Sequence, residues 1–277
     1  MHKSSPFLDK QMLSDAKMLF DRQLDLIDFQ GAYGNASADS YLKNFRQRIV
    51  AQLAVDLALL RRDEGGTGTV LIVGGWPGIT AMCLRAEGYS VTAVEHPSVV
   101  SDAMVKIFTD AGVRLLPLDI GAGMDGVMNA SGEGYTLVEC CECIEHWPFN
   151  PIPAVSNMLS ALSDNGRLFL TVPNAASLFR RISLLFGRNV FPSISDFVLQ
   201  MDVNTCADVS PHWREYTLRD LVELVRCCGG APEGSAWRQF HARNDGNKLV
   251  RFVYDCCQFI LPSARDHIGI IVKRHVP

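Results

Sequence analysis

The sequence lacks the features that mark exported, membrane-spanning or nucleic-acid-binding proteins. It has no run of about 20 apolar residues, the length that a helix needs to cross a bilayer, and residues 1–10 lack the apolar core of a signal peptide. Basic residues do not predominate, since 26 lysines and arginines accompany 30 acidic residues for a net charge of −4. That balance offers no electrostatic basis for binding nucleic acid. We therefore expect a cytoplasmic protein with no transmembrane segment and no nucleic-acid partner.

Cysteine is not scarce, but its nine residues do not form a disulfide or zinc framework. Several are adjacent in sequence, and adjacent cysteines are poor disulfide partners. The spacing Cys140-x-x-Cys143 has no second pair at zinc-site distance. A reducing compartment fits this usage. With 277 residues, 48% of them hydrophobic, the chain can bury the core of one large α/β domain with additions.

A glycine-rich turn between two apolar runs organises the chain. The run 70–73 is typical of a buried parallel strand, and a second run, 91–94, follows a segment of helical length. The second run ends at Glu95, and a carboxylate at that point accepts hydrogen bonds from the ribose diol in nucleotide-binding βαβ units. Glycines between the runs permit a tight turn and close approach of a ligand to the backbone; they are Gly74, Gly75 and Gly78. The glycine pattern alone leaves an ordinary βαβ unit equally open.

The remaining apolar runs predict a doubly wound α/β domain. The segments between them are long enough for crossover helices, so we expect a mostly parallel, seven-stranded sheet. An amphipathic helix over 217–228 ends at two glycines. Further strands are predicted over 113–118, 135–140 and 167–172, with an antiparallel edge pair over 236–241 and 268–273.

Two segments fall outside this core. Residues 1–40 are interpreted as a helical extension with an amphipathic helix over 7–29, and residues 41–277 as the main domain, which begins with a helix over 41–62. An insertion over about 175–211 carries an apolar helical face and clustered arginines. Such a long segment inside an α/β domain is usually a lid or binding loop. We expect the insertion and helix 7–29 to form an acceptor-binding cap.

Taken in order, these elements resemble the class I S-adenosylmethionine-dependent methyltransferases. The resemblance runs from about Val70 to Gly230 and implies S-adenosylmethionine as cofactor. The motifs that carry it are Glu-Cys-Cys-Glu-Cys-Ile-Glu-His at 139–146, Ser-Asp-Asn-Gly at 163–166, Thr-Val-Pro-Asn at 171–174 and His-Trp-Arg-Glu-Tyr-Thr at 212–217. In this family the acid after the third strand and the next residue lie beside the adenine. The cofactor-binding residues are then Gly74, Gly75, Trp76, Gly78, Glu95, His96, Asp119, Ile120, Cys140 and Cys141.

The sequence departs from the pattern of that family at three positions. An acid usually precedes the glycine turn, where Ile72 stands. A glycine usually occupies the middle of the turn, where Trp76 stands beside Pro77, which lacks an N–H donor. Thr136 replaces an aspartate that often follows the aromatic residue of the fourth strand. We interpret the segment as a variant turn that still binds the cofactor, because both strand-end acids remain.

Two mechanisms are open for the acids and histidines that follow the fourth strand. In the first, His146 or His212 takes the proton from an acceptor hydroxyl as the methyl group transfers, so the catalytic residues are His146, Glu145 and His212. In the second, Glu142, Glu145, His146 and His212 hold a divalent metal, an arrangement similar to that of small-RNA terminal 2′-O-methyltransferases. Helix capping and hydrogen bonding at the sheet edge form a third, purely structural interpretation of Glu145 and His146.

The predicted reaction is O-methylation. The segment from Pro173-Asn174 to residue 217 is similar to methyltransferases associated with cell-surface glycan synthesis. This implies a small-molecule or glycan acceptor, with methylation of a sugar hydroxyl of a glycan or its precursor, and it allows peripheral contact with a lipid-linked substrate. Two alternatives are a methyltransferase-like binding or regulatory protein without catalysis and a nicotinamide-dependent enzyme on a similar fold. The Glu-x-x-Glu-His motif followed by Pro-Asn argues against the nicotinamide enzyme.

Overall fold

The computed structural model describes residues 10–29, 37–62, 68–123, 127, 132, 134–191, 193–201, 211–238, 256 and 260–275. Its helices are α1 (Lys10–Leu26), α2 (Ser37–Leu60), α3 (Ile79–Ala86), α4 (Asp102–Asp110), α5 (Pro151–Ser160), α6 (Leu178–Leu185), α7 (Ile194–Met201) and α8 (Leu218–Cys227). Its strands are β1 (Thr69–Val73), β2 (Ser90–Glu95), β3 (Arg114–Pro117), β4 (Tyr135–Cys141), β5 (Leu162–Pro173), β6 (Gly230–Arg238) and β7 (His267–Arg274).

The seven strands form one sheet in the order β3-β2-β1-β4-β5-β7-β6. Neighbouring strands among β1 to β5 are parallel, whereas β7 is antiparallel to both β5 and β6. Side chains of β1 alternate between two cores: Val70 and Ile72 join α1 to α4 on one face, while Leu71 and Val73 join α5 and α8 on the other. The predicted doubly wound, mostly parallel fold is confirmed.

One predicted strand has the wrong bounds. The edge strand expected over 236–241 occupies Gly230–Arg238, because Gly229, with φ +79°, ends α8 and turns the chain directly into the sheet. Residues 239–241 of that prediction lie outside the described residues, as do residues 7–9 of the first predicted helix. Within the described part of the chain, no helix combines the length and apolarity needed to cross a bilayer.

The insertion between β5 and α8 contains α6 and α7. The guanidinium of Arg180 donates two hydrogen bonds to Glu215, and Arg181 donates to the carbonyls of Ala176 and Ser263. These two of the clustered arginines therefore fasten α6 to the domain. Residues 202–210 of the insertion lie outside the described residues. That the insertion closes over the acceptor stays a prediction.

Helix α2 carries a buried polar stripe against the sheet. Arg48, Gln52 and Asp56 recur every four residues, so they lie on one helix face, and all three are buried. Gln52 donates a hydrogen bond of 2.8 Å to the hydroxyl of Thr171 in β5. Deeper in the core, Asp56 interacts with Glu139 of β4, and both carboxyls contain buried oxygens without a hydrogen-bond partner in the described residues.

In the folded protein, Asp56 and Glu139 keep their protons at pH values at which the unfolded chain has released them. Burial, followed by repulsion from Glu139, raises the pKa of Asp56 well above its ordinary value. Burial raises the pKa of Glu139 from 4.5 to about 7, although a hydrogen bond with Cys141 offsets part of the effect. Because the folded-state values are raised, the stability associated with the pair is complete below the unfolded-state pKa and is lost as pH rises through about 7.

We expect the free energy of unfolding to fall between about pH 4.5 and 7, and Glu139→Gln to remove much of that fall. At pH 8 the free energy of unfolding of Glu139→Gln should exceed that of the unmutated protein by up to about 3 kcal/mol, since one pKa unit corresponds to about 1.4 kcal/mol. Urea unfolding at several pH values measures it. Glu223→Gln, at an exposed position of α8, is the control and should leave the profile unchanged. If the free energy of unfolding of Glu139→Gln depends on pH in the same way as that of the unmutated protein, ionisation of Glu139 does not destabilise the fold.

Candidate active site

The glycine turn follows β1 at the carboxyl edge of the sheet, where open α/β sheets bind ligands. Gly74 has φ +71° and Gly78 has φ +101°, both in the region that favours glycine. A Cβ atom on Gly74 would lie 2.3 Å from the sulfur of Cys143, and one on Gly78 would lie 2.6 Å from the ring of Phe108. The turn therefore needs glycine at both positions for its backbone conformation and for its packing.

Glu95 ends β2 beside this turn and is only 4% exposed. Burial raises the pKa of its carboxyl to about 8, and hydrogen bonds from the backbone N–H groups of Gly75 and Trp76 offset part of that rise. The Oε1 atom has no hydrogen-bond partner within the described residues, and a Cβ atom on Gly75 would lie 3.9 Å from it. An unpaired buried acceptor is costly unless a donor reaches it. The two hydroxyls of a ribose are such donors, so this corner fits S-adenosylmethionine.

The other predicted cofactor residues continue along the same edge. His96 follows Glu95, and its Nε2 atom lies 3.9 Å from Oδ2 of Asp119, which follows β3. Asp119 also accepts a hydrogen bond of 2.9 Å from the N–H of Gly121, which fixes the turn that contains Ile120. Both His96 and Asp119 are exposed, so their polar atoms are available to a ligand.

β4 pairs with β1, which precedes the glycine turn, and it ends just before Glu145 and His146. Cys140 is fully buried, and burial raises the pKa of its thiol well above the ordinary value. Cys141 is partly buried on the opposite face of the strand. A protonated, buried thiol is a weak nucleophile. Cys140 is therefore a buried, unreactive side chain, and its place in the cofactor site stays a prediction.

Backbone hydrogen bonds bring together two distant motifs. The carbonyl of Glu145 accepts hydrogen bonds from the N–H groups of Trp213 and Arg214. Nearby in sequence, Tyr216 forms an isolated parallel β-bridge with Asn174, which follows β5. As a result the rings of His146 and His212 lie edge to face with their centroids 4.7 Å apart.

Glu145, His146 and His212 form one acid–histidine cluster. One ligand atom from each lies within 4.8 Å of the others, and within the described residues Glu142 does not join them. Burial, followed by repulsion from Glu142, raises the pKa of Glu145 well above its ordinary value, and its Oε2 atom has no hydrogen-bond partner in the described structure. The cluster offers either a proton acceptor or a three-residue metal site.

His212 is oriented by Glu215, a residue of the motif at 212–217 for which the sequence predicted no role. Its Nδ1 atom lies 2.9 Å from Oε1 of Glu215, whose carboxylate also accepts two hydrogen bonds from Arg180. Burial acts to raise the pKa of Glu215, but the hydrogen bonds from His212 and Arg180 outweigh it, so the pKa lies below its ordinary value. An ionised Glu215 favours the tautomer with the proton on Nδ1, which leaves Nε2 of His212 as a base. The spacing of three residues between His212 and Glu215 was the sequence signal that could have identified this contact.

Glu142 belongs to a different buried network. Its carboxylate lies 3.3 Å from a guanidinium nitrogen of Arg48 and 3.1 Å from Nδ1 of His267, and it accepts a hydrogen bond of 3.0 Å from Thr171. Burial acts to raise its pKa, but the charges of His267 and Arg48 lower it to about 2. Glu142 also has φ +52°, an unusual conformation for a residue other than glycine. This network turns Glu142 toward α2 and β7, so among the described residues it lies apart from the cluster of Glu145, His146 and His212.

The three departures from the family pattern have local explanations. Ile72 packs into the core beneath α2, and its partner on β4 is the acid Glu139. Trp76 lies against Tyr41 of α2, with ring centroids 5.3 Å apart. Thr136 accepts a hydrogen bond of 3.2 Å from the backbone N–H that starts β1. Each substituted side chain contributes to packing between β1, β4 and α2.

Comparison with known proteins agrees with this geometry. The methyltransferase domain family matches residues 41–229, more than half of the chain. A methyltransferase of Haloferax volcanii, solved in complex with the Trm112 methyltransferase activator, is similar in fold, with a TM-score of 0.55 at 12% identity over 90% of this chain and 98% of that chain. A methyltransferase of Archaeoglobus fulgidus has a TM-score of 0.53 at 14% identity, over 84% and 97%. The magnesium protoporphyrin IX methyltransferase of Synechocystis, with bound S-adenosylhomocysteine, has a TM-score of 0.52 at 14% identity, over 84% and 86%. No curated protein matches the sequence significantly.

The chain therefore belongs to the methyltransferase domain family. It is an S-adenosylmethionine-dependent methyltransferase, as the sequence predicted. At 12–14% identity the solved structures establish the fold and leave the acceptor open.

We expect Glu95→Ala to weaken binding of S-adenosylmethionine by roughly ten- to a hundredfold, because two ribose hydrogen bonds are lost and each contributes about 0.5–1.5 kcal/mol. Equilibrium dialysis with labelled cofactor measures the affinity. Glu87→Ala, in the same βαβ unit but ion-paired with Arg61 at the surface, is the matched control and should bind normally. Equal affinity in both variants excludes Glu95 as the ribose acceptor.

Proposed function

We propose that this methyltransferase methylates a hydroxyl oxygen, most naturally a sugar hydroxyl of a glycan or its precursor, with His212 as general base. The observation that carries the proposal is the contact between Nδ1 of His212 and Glu215, because it leaves Nε2 as a proton acceptor in the cluster. A hydroxyl needs such a base as it attacks, whereas a neutral amine is already nucleophilic. The resemblance of the segment from Pro173 to residue 217 to glycan-associated methyltransferases supports a sugar acceptor.

In this mechanism the side chains position one proton. S-adenosylmethionine supplies a methyl group on a positively charged sulfur, which leaves as a neutral thioether. Nε2 of His212 accepts the hydroxyl proton while the acceptor oxygen forms its bond to the methyl carbon. Glu215 stabilises the imidazolium that results, and Arg180 keeps Glu215 ionised and in place. Glu95 and the glycine turn hold the donor in position, which reduces the entropic part of the barrier.

A second candidate is metal-assisted O-methylation, favoured by the convergence of Glu145, His146 and His212 within 4.8 Å. Two imidazoles and a carboxylate are suitable ligands for a divalent metal, which orients and acidifies an acceptor hydroxyl. Glu142, the fourth ligand considered from the sequence, is held by Arg48 and His267. The metal site of this candidate therefore has three protein ligands.

Methyl transfer from labelled S-adenosylmethionine to a panel of nucleotide-linked and lipid-linked sugars tests the proposal. We expect label in a base-stable methyl ether, with activity that survives a chelator. Loss of activity with chelator and recovery with a divalent metal selects the metal-assisted candidate. Transfer only to nitrogen or sulfur acceptors contradicts O-methylation. Cofactor binding without transfer to any acceptor favours the binding or regulatory alternative.

A further inference from the structure

The outer side of the insertion exposes an apolar surface beside the active site. We name this surface the apolar ridge and define it by residues 178–191 and 193–201. In α6, Phe179 is 65% exposed, and Phe186, two helical turns later, is 78% exposed beside Leu185, which is 84% exposed. In α7, Ile194 is 80% and Val198 62% exposed, and they lie four residues apart. Groups of large apolar side chains this exposed mark a contact with a partner or a membrane.

Hydrogen bonds and a ring contact on its inner side hold the ridge against the domain. Arg180 pairs with Glu215, and Arg181 donates to the carbonyl and hydroxyl oxygens of Ser263. In α7, Phe197 packs edge to face on Trp213, with ring centroids 6.1 Å apart. The exposed apolar side chains therefore face outward in the folded protein, and the ridge contacts Trp213, the residue after His212.

The charge of the ridge identifies the kind of surface that it fits. Residues 178–201 contain three arginines and a single acid, Asp196. Because Arg180 is paired with Glu215, the charges that remain on the ridge sum to +1, in a chain of net charge −4. Arg188, just after α6, is exposed. Basic side chains beside an apolar helical face are typical of helices that lie in the interface of an anionic bilayer. A second copy of this chain has the same positive charge on this surface, so charge does not favour the pairing of two copies through it.

We propose that the apolar ridge binds the surface of an anionic bilayer, with Leu185, Phe186 and Ile194 inserted and Arg188 near the lipid headgroups. This orientation places His212 and Trp213 at the side of the protein near the membrane. Binding involves only lipid and the folded chain, so it does not depend on the proposed reaction. It accounts for exposed apolar side chains that folding alone leaves in water.

Flotation with vesicles tests this directly, using phosphatidylcholine with about one third phosphatidylglycerol against phosphatidylcholine alone. We expect the unmutated protein to float with the anionic vesicles and to be released by salt. The double variant Leu185→Ser with Phe186→Ser should bind roughly tenfold or more weakly. Leu26→Ser, which removes a 68% exposed leucine at the end of α1, is the matched control and should bind normally.

A charge variant and a sizing measurement separate the remaining outcomes. Arg188→Glu should weaken binding to anionic vesicles and leave the weaker binding to neutral vesicles unchanged. No flotation of the unmutated protein, or equal flotation of the double variant, overturns the proposal. Sedimentation equilibrium that shows a dimer abolished by the double variant also overturns it, because the ridge is then an interface between copies. Cofactor affinity measured in the same samples shows that each variant is folded.

Discussion

His212→Ala should lower the rate of methyl transfer by roughly 10²–10⁴ while leaving the melting temperature and the affinity for S-adenosylhomocysteine nearly unchanged. The expected size is that of a lost general base. The side chain of His212 is 27% exposed, so its removal leaves no large cavity. Single-turnover kinetics with a hydroxyl acceptor measure the effect on the chemical step.

Two further variants assign that effect to the base. Glu215→Gln keeps the size of the side chain but removes the charge that stabilises the imidazolium. We expect it to lower the rate less than His212→Ala and to shift the pH profile of the rate, which a merely structural residue would not do. His275→Ala, at an exposed position after β7, is the histidine control and should be fully active. Full activity in His212→Ala excludes the proposed base.

Arg48→Met should destabilise the protein by about 3–5 kcal/mol, the effect of leaving one partner of a buried ion pair without its counter-charge. The side chains of Arg48 and Glu142 are only 8% and 7% exposed. His267 would remain within hydrogen-bond distance of Glu142, at 3.1 Å, but it does not replace the guanidinium. Chemical denaturation measures the loss.

The same helix supplies a matched control for Arg48. Arg46 pairs with Asp21 of α1 in a partly exposed position, and surface pairs contribute about 0–1 kcal/mol, so Arg46→Met should have a small effect. Adding Glu142→Gln to Arg48→Met should restore part of the lost stability, because the unpaired charge is removed. If Arg48→Met and Arg46→Met destabilise equally, the buried network does not hold α2 on the sheet.

The sheet and the cofactor corner could be predicted because their signals are local. Apolar runs such as 70–73 alternate between two cores, and a strand followed by glycines and then by Glu95 has few other structural solutions. The grouping of His146 with His212, which are 66 residues apart, followed instead from the resemblance to the family, and the structure places their ring centroids 4.7 Å apart.

The buried networks could not be predicted because their partners are far apart in sequence. Glu142 meets Arg48 and His267, which lie 94 and 125 residues away. A sequence shows that these residues are charged, but only the packing of α2 against β5 and β7 shows that they are paired. The role of Glu142 as a metal ligand was therefore a reasonable hypothesis until its partners were located.

Calorimetric titration of the unmutated protein with S-adenosylhomocysteine tests the central claim most directly, because that claim is a functional cofactor site in spite of Ile72 and Trp76. A parallel titration with NAD⁺ distinguishes it from a nicotinamide-binding fold. We expect one S-adenosylhomocysteine molecule bound per chain and no heat of binding with NAD⁺. No binding of S-adenosylhomocysteine, or binding of NAD⁺ in its place, would contradict it.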